Sequence, residues 1–235
     1  MINPLDLYAK IESLIGFDAQ YEMLYQNYLA LLKSLHVKTI LDVGCGNGKF
    51  LKHLKENGFE ALGIDRSTKM VERALALGVN ASTKELCECE AEGFECVVAI
   101  ADVLNYIPPH ELDDFLNAIA FCLPKGGYFV CDVNTLYGFE GVAEGVMCQT
   151  MAHNFCVWTN VFDKELFTKI VLFEKERALY FTEEGNIIQY FHPLSFYKKL
   201  TTVKLVSTKP STLLRVDAPL FLKKSDDKSS IFTQK

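Results

Sequence analysis

The segment Lys38-Thr39-Ile40-Leu41-Asp42-Val43-Gly44-Cys45-Gly46-Asn47-Gly48-Lys49-Phe50 changes its local preference halfway along. Thr39, Ile40, Leu41 and Val43 are the β-branched and aliphatic residues of a buried strand, and glycines at 44, 46 and 48 end it abruptly. The spacing predicts a strand, a tight turn and the start of a helix. Glycine permits positive φ and leaves no Cβ between main chain and ligand, so a ligand here would lie against the backbone itself. A dinucleotide fingerprint, Gly-x-Gly-x-x-Gly, would need glycine where Lys49 stands.

Working outward, Asp42 lies two residues before the first glycine, and Asp65 ends the next apolar run, Ala61-Leu62-Gly63-Ile64. In a parallel sheet the carboxyl ends of neighbouring strands share one crevice, which puts Asp65 beside the glycine turn and within reach of ribose hydroxyls. Asp65 also reads as a strand-end cap. Two carboxylates at a glycine turn suit a nucleoside with a cationic end better than a pyrophosphate. Asp42-Val-Gly-Cys-Gly-Asn-Gly48 followed by Gly63-Ile64-Asp65-Arg66-Ser67 resembles the class I S-adenosylmethionine (SAM)-dependent methyltransferases.

Further along, Asp102-Val-Leu-Asn-Tyr-Ile107 and Leu123-Pro-Lys-Gly-Gly-Tyr-Phe-Val-Cys-Asp-Val-Asn-Thr135 are similar to a branch of that family with Asp-x-Leu-Asn-Tyr and Asp-x-Asn-Thr after its fourth and fifth strands. The resemblance spans about residues 20–135. It implies an α/β, Rossmann-like doubly wound sheet of seven strands, mostly parallel with an antiparallel last strand, and a small antiparallel β insertion after the fifth. Residues 1–137 and 192–235 would form the SAM-binding core, and 138–191 the insertion covering the substrate pocket.

The chain has 235 residues, 49% hydrophobic and 23% charged, with net charge −6 and pI near 5.4. That fits a globular domain with a modest insertion and disfavours a large phosphate-binding face, hence nucleic acid as partner. The N-terminus lacks a basic start and a long apolar region, and no apolar run reaches membrane-spanning length. These features predict a cytoplasmic protein, monomer or homodimer. Eight cysteines are scattered, and Cys87-Glu88-Cys89 alone is poor zinc spacing, so no metal is expected and the cysteines read as reduced, mostly buried thiols.

From about Leu5 to Leu35 apolar and aromatic residues recur at helical spacing, with Tyr8, Tyr21 and Tyr25 facing either the core or the site. Lys49 to Asn57 reads as a helix stopped by Gly58, and Ser67 as the N-cap of the next, which runs to Gly78. Val79 to Ala81 is a short strand, Phe94 to Ala101 a central one, and Tyr128 to Val133 the fifth. A helix carries Leu112 to Leu123, with Pro108-Pro109 at its start. Phe155 to Phe191 predicts three or four antiparallel strands turning at Asp163-Lys164-Glu165 and Glu183-Glu184-Gly185-Asn186. Pro193 to Leu200 reads as a last helix, and 204–206 with 220–222 as the final strand pair.

What the resemblance implies chemically is transfer of the SAM methyl group to a small molecule, releasing S-adenosylhomocysteine. A methyl sulfonium is already electrophilic, so the protein's main task is alignment. The cofactor would meet Asp42, Gly44, Cys45 and Gly46 at its amino-acid end, Asp65 at the ribose, Arg66 or Met70 near the adenine, and Ala101 and Asp102 at the methionine. Asp102 reads equally as the cap of a following turn. The substrate would meet Asn105, Tyr106, Asp132 and Asn134, with Trp158 walling the pocket or anchoring the hairpin core. Tyr106, His153 and His192 are the candidates for a catalytic base, the histidines being read first as packed or solvated residues. The family usually holds the adenine amino group with a polar side chain where this chain has Ser82 and Thr83. A SAM-binding module without catalysis and an RNA or protein methyltransferase are the alternatives; the chain lacks the Asn/Asp-Pro-Pro-Tyr/Phe run of base-methylating enzymes after the fourth strand.

Overall fold

The computed structural model describes residues 3–16, 18–89, 93–150, 154–176, 179–197, 203–208 and 220–224. Two helices, α1 (Pro4–Ile11) and α2 (Asp18–Leu35), precede the first strand, so the N-terminal helical pattern is broken rather than continuous. The chain then alternates through β1 (Thr39–Val43), α3 (Lys49–Glu56), β2 (Glu60–Ile64), α4 (Thr68–Ala76), β3 (Ala81–Ser82), β4 (Cys96–Ala99), α5 (Leu112–Cys122) and β5 (Tyr128–Cys131). After a single helical turn, α6 (Leu136–Gly138), come β6 (Gly145–Thr150), β7 (Asn154–Phe162), β8 (Glu165–Glu176) and β9 (Leu179–Tyr190). A short α7 (Leu194–Tyr197) leads to β10 (Val203–Thr208) and β11 (Leu220–Lys224).

The first five strands form a parallel sheet of order β5-β4-β1-β2-β3, extended by β11 and β10, with β11 antiparallel to both neighbours. Alternation along β1 explains the two layers: Ile40 packs with Leu24 and Leu32 of α2 and Leu54 of α3, while Leu41 and Val43 pack with Leu116 and Ile119 of α5. The chain reverses order between β1 and β4, and their carboxyl ends open the crevice where such folds place ligands.

The other four strands make a second, antiparallel sheet, β6-β7-β8-β9. The turn at Asp163 and Lys164, both with positive φ (47° and 67°), joins β7 to β8 as expected. The expected turn at Glu183–Asn186 is not one. These residues run through the middle of β9, with Gly185 opposite Ile170, because a twelve-residue β8 is matched by a partner of equal length. Gly185 answers a packing need instead: a Cβ there would lie 3.3 Å from Leu7 and 3.4 Å from Pro4, so it lets α1 lie close on the sheet. Nor does the sheet begin at Phe155, since β6 pairs ahead of it. Pro108 and Pro109 precede α5 by a turn rather than opening it.

Leu7 and Ile11 of α1 are fully buried against Phe155, Ile170, Leu172 and Ile187. At roughly 1.5–3 kcal/mol for each fully buried aliphatic side chain, that contact holds a helix too short to persist alone. Asp6 ties the same helix to the opposite side: its Oδ1 accepts from the Ser67 hydroxyl (2.6 Å) and the Lys69 amide (3.1 Å) at the start of α4. Thus α1 bridges the antiparallel sheet and the start of α4.

Among the cysteines, the expectation of reduced, mostly buried thiols needs correction. Cys148 and Cys156 stand directly opposite in the β6–β7 ladder, Cα atoms 4.2 Å apart, and form a disulfide. Cys87 is exposed, and Cys45, Cys96, Cys122 and Cys131 are the buried free thiols. No helix among the described residues is long and apolar enough to cross a membrane.

Candidate active site

Gly44 and Gly46 leave β1 with φ of 72° and 53°. A Cβ on Gly44 would sit 2.6 Å from Val103, whereas a Cβ on Gly46 would meet nothing within 4 Å and would project from the turn. The turn closes on Asp65 at the end of β2: Oδ2 accepts the Gly46 amide and Oδ1 the Ser67 amide, both at 2.8 Å. Asp65 is therefore both a clasp for the turn and a carboxylate on its edge. Ser67 caps α4 through its hydroxyl, which accepts the Met70 amide at 3.1 Å.

Above this turn lies a cavity of about 360 Å³, in the range of small-ligand sites. All nine residues expected at the nucleoside line it: Asp42, Gly44, Cys45, Gly46, Asp65, Arg66, Met70, Ala101 and Asp102. So do Tyr8, Tyr21, Tyr25 and Tyr106. Ser82 and Thr83 do not, while Lys84, Glu85 and Leu86 do.

Asp42 is the unusual group. It is 1% exposed, and neither carboxylate oxygen has a hydrogen-bond partner among the described residues. Burial, and then the nearby Asp65, hold its carboxyl well above the usual carboxylate range. An ionised carboxylate without a partner is costly in such a place, which suits a ligand bringing a positive charge. Burial likewise raises Asp65 against the pull of its two amides. Cys45 is no nucleophile, because burial, Asp42 and Asp65 together push its thiol far up.

On the far wall, β4 is followed after Ile100 by two consecutive non-glycine residues with left-handed backbone, Ala101 (φ 62°) and Asp102 (φ 60°). Such residues cost about 1–3 kcal/mol each and persist when their surroundings over-determine them. Asp132 does that: its Oδ2 accepts the Ala101 amide (3.0 Å), its Oδ1 the Asp102 amide (2.6 Å), and the Tyr28 hydroxyl donates to Oδ2 (2.8 Å). Asp102 in turn accepts through Oδ2 from the carboxamides of Asn134 (2.8 Å) and Gln189 (2.5 Å).

Several residues expected at the substrate do not line the cavity. Asp132 is fully buried as the clamp just described, and Asn105, also fully buried, bridges the Asn134 amide (2.7 Å) and the Tyr190 carbonyl (2.8 Å). Asn134 reaches the site only through Asp102. Trp158 is half exposed on the outer face of the antiparallel sheet, where it neither walls the cavity nor anchors a core, since Phe155 and Val157 take the inward positions of its strand. His192 is buried with Nε2 donating to the Leu104 and Ile107 carbonyls (3.1 and 3.0 Å), and burial lowers its pKa, so it serves as a neutral pin rather than a base. His153 lies outside the described residues.

Glu12 and Gln189 are among the residues at the site that escaped sequence reading. Glu12 lines the cavity, and both its oxygens accept from the Asn47 carboxamide at 3.0 Å, tying the N-terminal segment to the glycine turn. Gln189 comes from the second sheet. Neither has a spacing signal, for their partners are 35 and 87 residues away.

Comparison with known proteins gives the family and the fold. Residues 18–198 match the methyltransferase domain family. A Geobacillus sp. (strain WCH70) protein named as a methyltransferase is 28% identical over 143 residues, 57% of this chain and 58% of that one; the chain spans about half the length of the curated relatives it matches. Among solved structures, a SAM-dependent methyltransferase from Clostridium acetobutylicum superposes with TM-score 0.73 at 16% identity, covering 91% of this chain and 95% of that one. A sugar N-methyltransferase from Streptoalloteichus sp. gives 0.74 at 15%, covering 96% and 94%. These likenesses establish the fold, and the family match covers most of the chain. The chain belongs to the class I SAM-dependent methyltransferases.

Proposed function

We propose that this chain transfers a methyl group from SAM to a small molecule held between the glycine turn and the antiparallel sheet. One observation carries the reading: a carboxylate pair, buried Asp42 without a partner among the described residues and half-buried Asp65, borders a cavity floored by bare backbone. In this reading Asp42 faces the cationic amino-acid end, the backbone of Gly44, Cys45 and Gly46 supports it, and Asp65 accepts from the ribose hydroxyls. Arg66 and Met70 flank the adenine, and Ala101 and Asp102 close the methionine end. Bound SAM supplies a methyl group on positively charged sulfur, which needs an aligned nucleophile and little else. The chain's own work is to position, to exclude water and to match charge.

Residues 1–137 and 192–235 would act as the cofactor-binding core, with 138–191 covering the acceptor. Ile187 on the cavity wall and Gln189 on Asp102 support that division. A small acceptor fits the cavity's size and the chain's acidity, which disfavours nucleic acid. A cytoplasmic setting goes with this reading on the strength of six free cysteines among the described residues, set against the one Cys148–Cys156 disulfide. Titration calorimetry with S-adenosylhomocysteine tests it: binding, with a rise in melting temperature that Asp65→Ala largely removes, is the expected result. No heat of binding at millimolar ligand would overturn it.

A further inference from the structure

The acids around the cavity differ in how they are occupied. Asp65 and Asp132 use both oxygens on backbone amides, and Glu12 uses both on Asn47. Asp102 is held by one oxygen only. Asn134 and Gln189 both donate to Oδ2, and Oδ1 makes no hydrogen bond among the described residues, in a side chain that lines the cavity.

The groups facing it are Asp132 from the end of β5, Tyr106 from the helical turn after β4, Tyr8 from α1 and Tyr21 from α2, with neutral Gln189 from β9. The cations that line the cavity among the described residues, Arg66 and Lys84, are both exposed, and Arg66 pairs with Glu85 at 3.6 Å. One end of the cavity thus offers a carboxylate oxygen and aromatic rings with no positive charge to compete. That is the chemistry that recognises an ammonium group.

The geometry points to a protonated amine as the methyl acceptor, held by Oδ1 of Asp102 among the rings of Tyr8, Tyr21 and Tyr106, with Asp102 removing its proton. This rests on the methyl-transfer reading and specifies its substrate class. In the step, the N–H bond breaks and the proton passes to the Asp102 carboxylate. The freed lone pair forms the N–C bond to the methyl carbon as the C–S bond breaks, and sulfur keeps that electron pair. The proton on Asp102 then leaves to water. Gln189 and Asn134 are positioning residues that fix which oxygen is presented. Burial first, then Asp132, push the Asp102 carboxyl up to about 7, against the pull of Gln189, so it holds and releases a proton near neutrality.

The test uses protein saturated with S-adenosylhomocysteine and two probes of equal shape, cyclohexylammonium and cyclohexanol, at tens of millimolar. In the wild type the ammonium raises the melting temperature and the alcohol does not. Asp102→Asn, brought to saturation with S-adenosylhomocysteine at whatever concentration that variant requires, shows the ammonium effect weakened about tenfold or more. Gln189→Met, which keeps the carboxylate and removes a donor, moves the pH at which the ammonium effect is half lost upward. Equal shifts from both probes, no shift from either, or an undiminished ammonium effect in Asp102→Asn would overturn the inference while leaving methyl transfer standing. Failure of S-adenosylhomocysteine to bind would remove both.

Discussion

Asp65 accepts the Gly46 amide at 2.8 Å, so the residue that would meet the ribose also sets the shape of the turn that would meet the rest of the nucleoside. Removing it acts twice. Asp65→Ala loses a ligand contact and frees the turn, whereas Asp65→Asn keeps an acceptor for Gly46 and loses charge. We expect calorimetry to show S-adenosylhomocysteine affinity falling about a hundredfold for alanine and about tenfold for asparagine.

Asp42 predicts opposite movements in stability and binding. Its folded pKa is raised by burial, so it is a group that destabilises the free protein once ionised. Asp42→Asn removes that cost. At about pH 8 the free variant should melt a few degrees higher than the wild type, while its affinity for S-adenosylhomocysteine drops about tenfold or more. Paired thermal melts with and without ligand would show the curves cross; a variant that loses both stability and binding would contradict this account.

The pH dependence of the free protein follows from Asp102. Its carboxyl stands at about 7 when folded, above the ordinary value near 4, through burial and Asp132. The folded state then binds more protons than the unfolded state across that window, so stability is highest below it and falls as pH rises from about 4 to about 7. Denaturation midpoints measured across this range should decline in the wild type, by on the order of a few kcal/mol. The Asp102→Asn variant should flatten that decline, the remaining slope coming from Asp42, Asp65 and Asp132, all raised by burial and acting in the same direction.

Gly185 offers a test distant from the nucleoside. Alanine there meets Leu7 and Pro4 at ordinary contact or slightly inside it, and should be tolerated within about 1 kcal/mol. Valine adds branches beneath α1, whose residues Leu5 and Tyr8 border the cavity. We expect Gly185→Val to lower the melting temperature and weaken S-adenosylhomocysteine binding together, read by differential scanning fluorimetry with and without ligand.

The glycine-turn side of the cavity was legible because its parts are local. Asp42 and the glycines lie within seven residues, Asp65 closes the next strand, and strand-to-turn chemistry constrains each in turn. The opposite wall is assembled by contacts no spacing reveals. Asn105 and Asp132 sit at strand ends that point toward the crevice, but buried backbone groups there demanded partners and took them. The turn expected at Glu183–Asn186 failed for a related reason: glycine marks close approach as well as reversal, and only the position of α1 decides between them.

The two left-handed residues after β4 also bear on how far this protein can be improved. A search for a sturdier variant would select them first, because glycine at 101 or asparagine at 102 relaxes the main chain. The second change would also delete the carboxylate that we propose faces the acceptor. Robustness and turnover compete here for one residue, and selection for heat tolerance alone would drift toward an inert binder of the nucleoside.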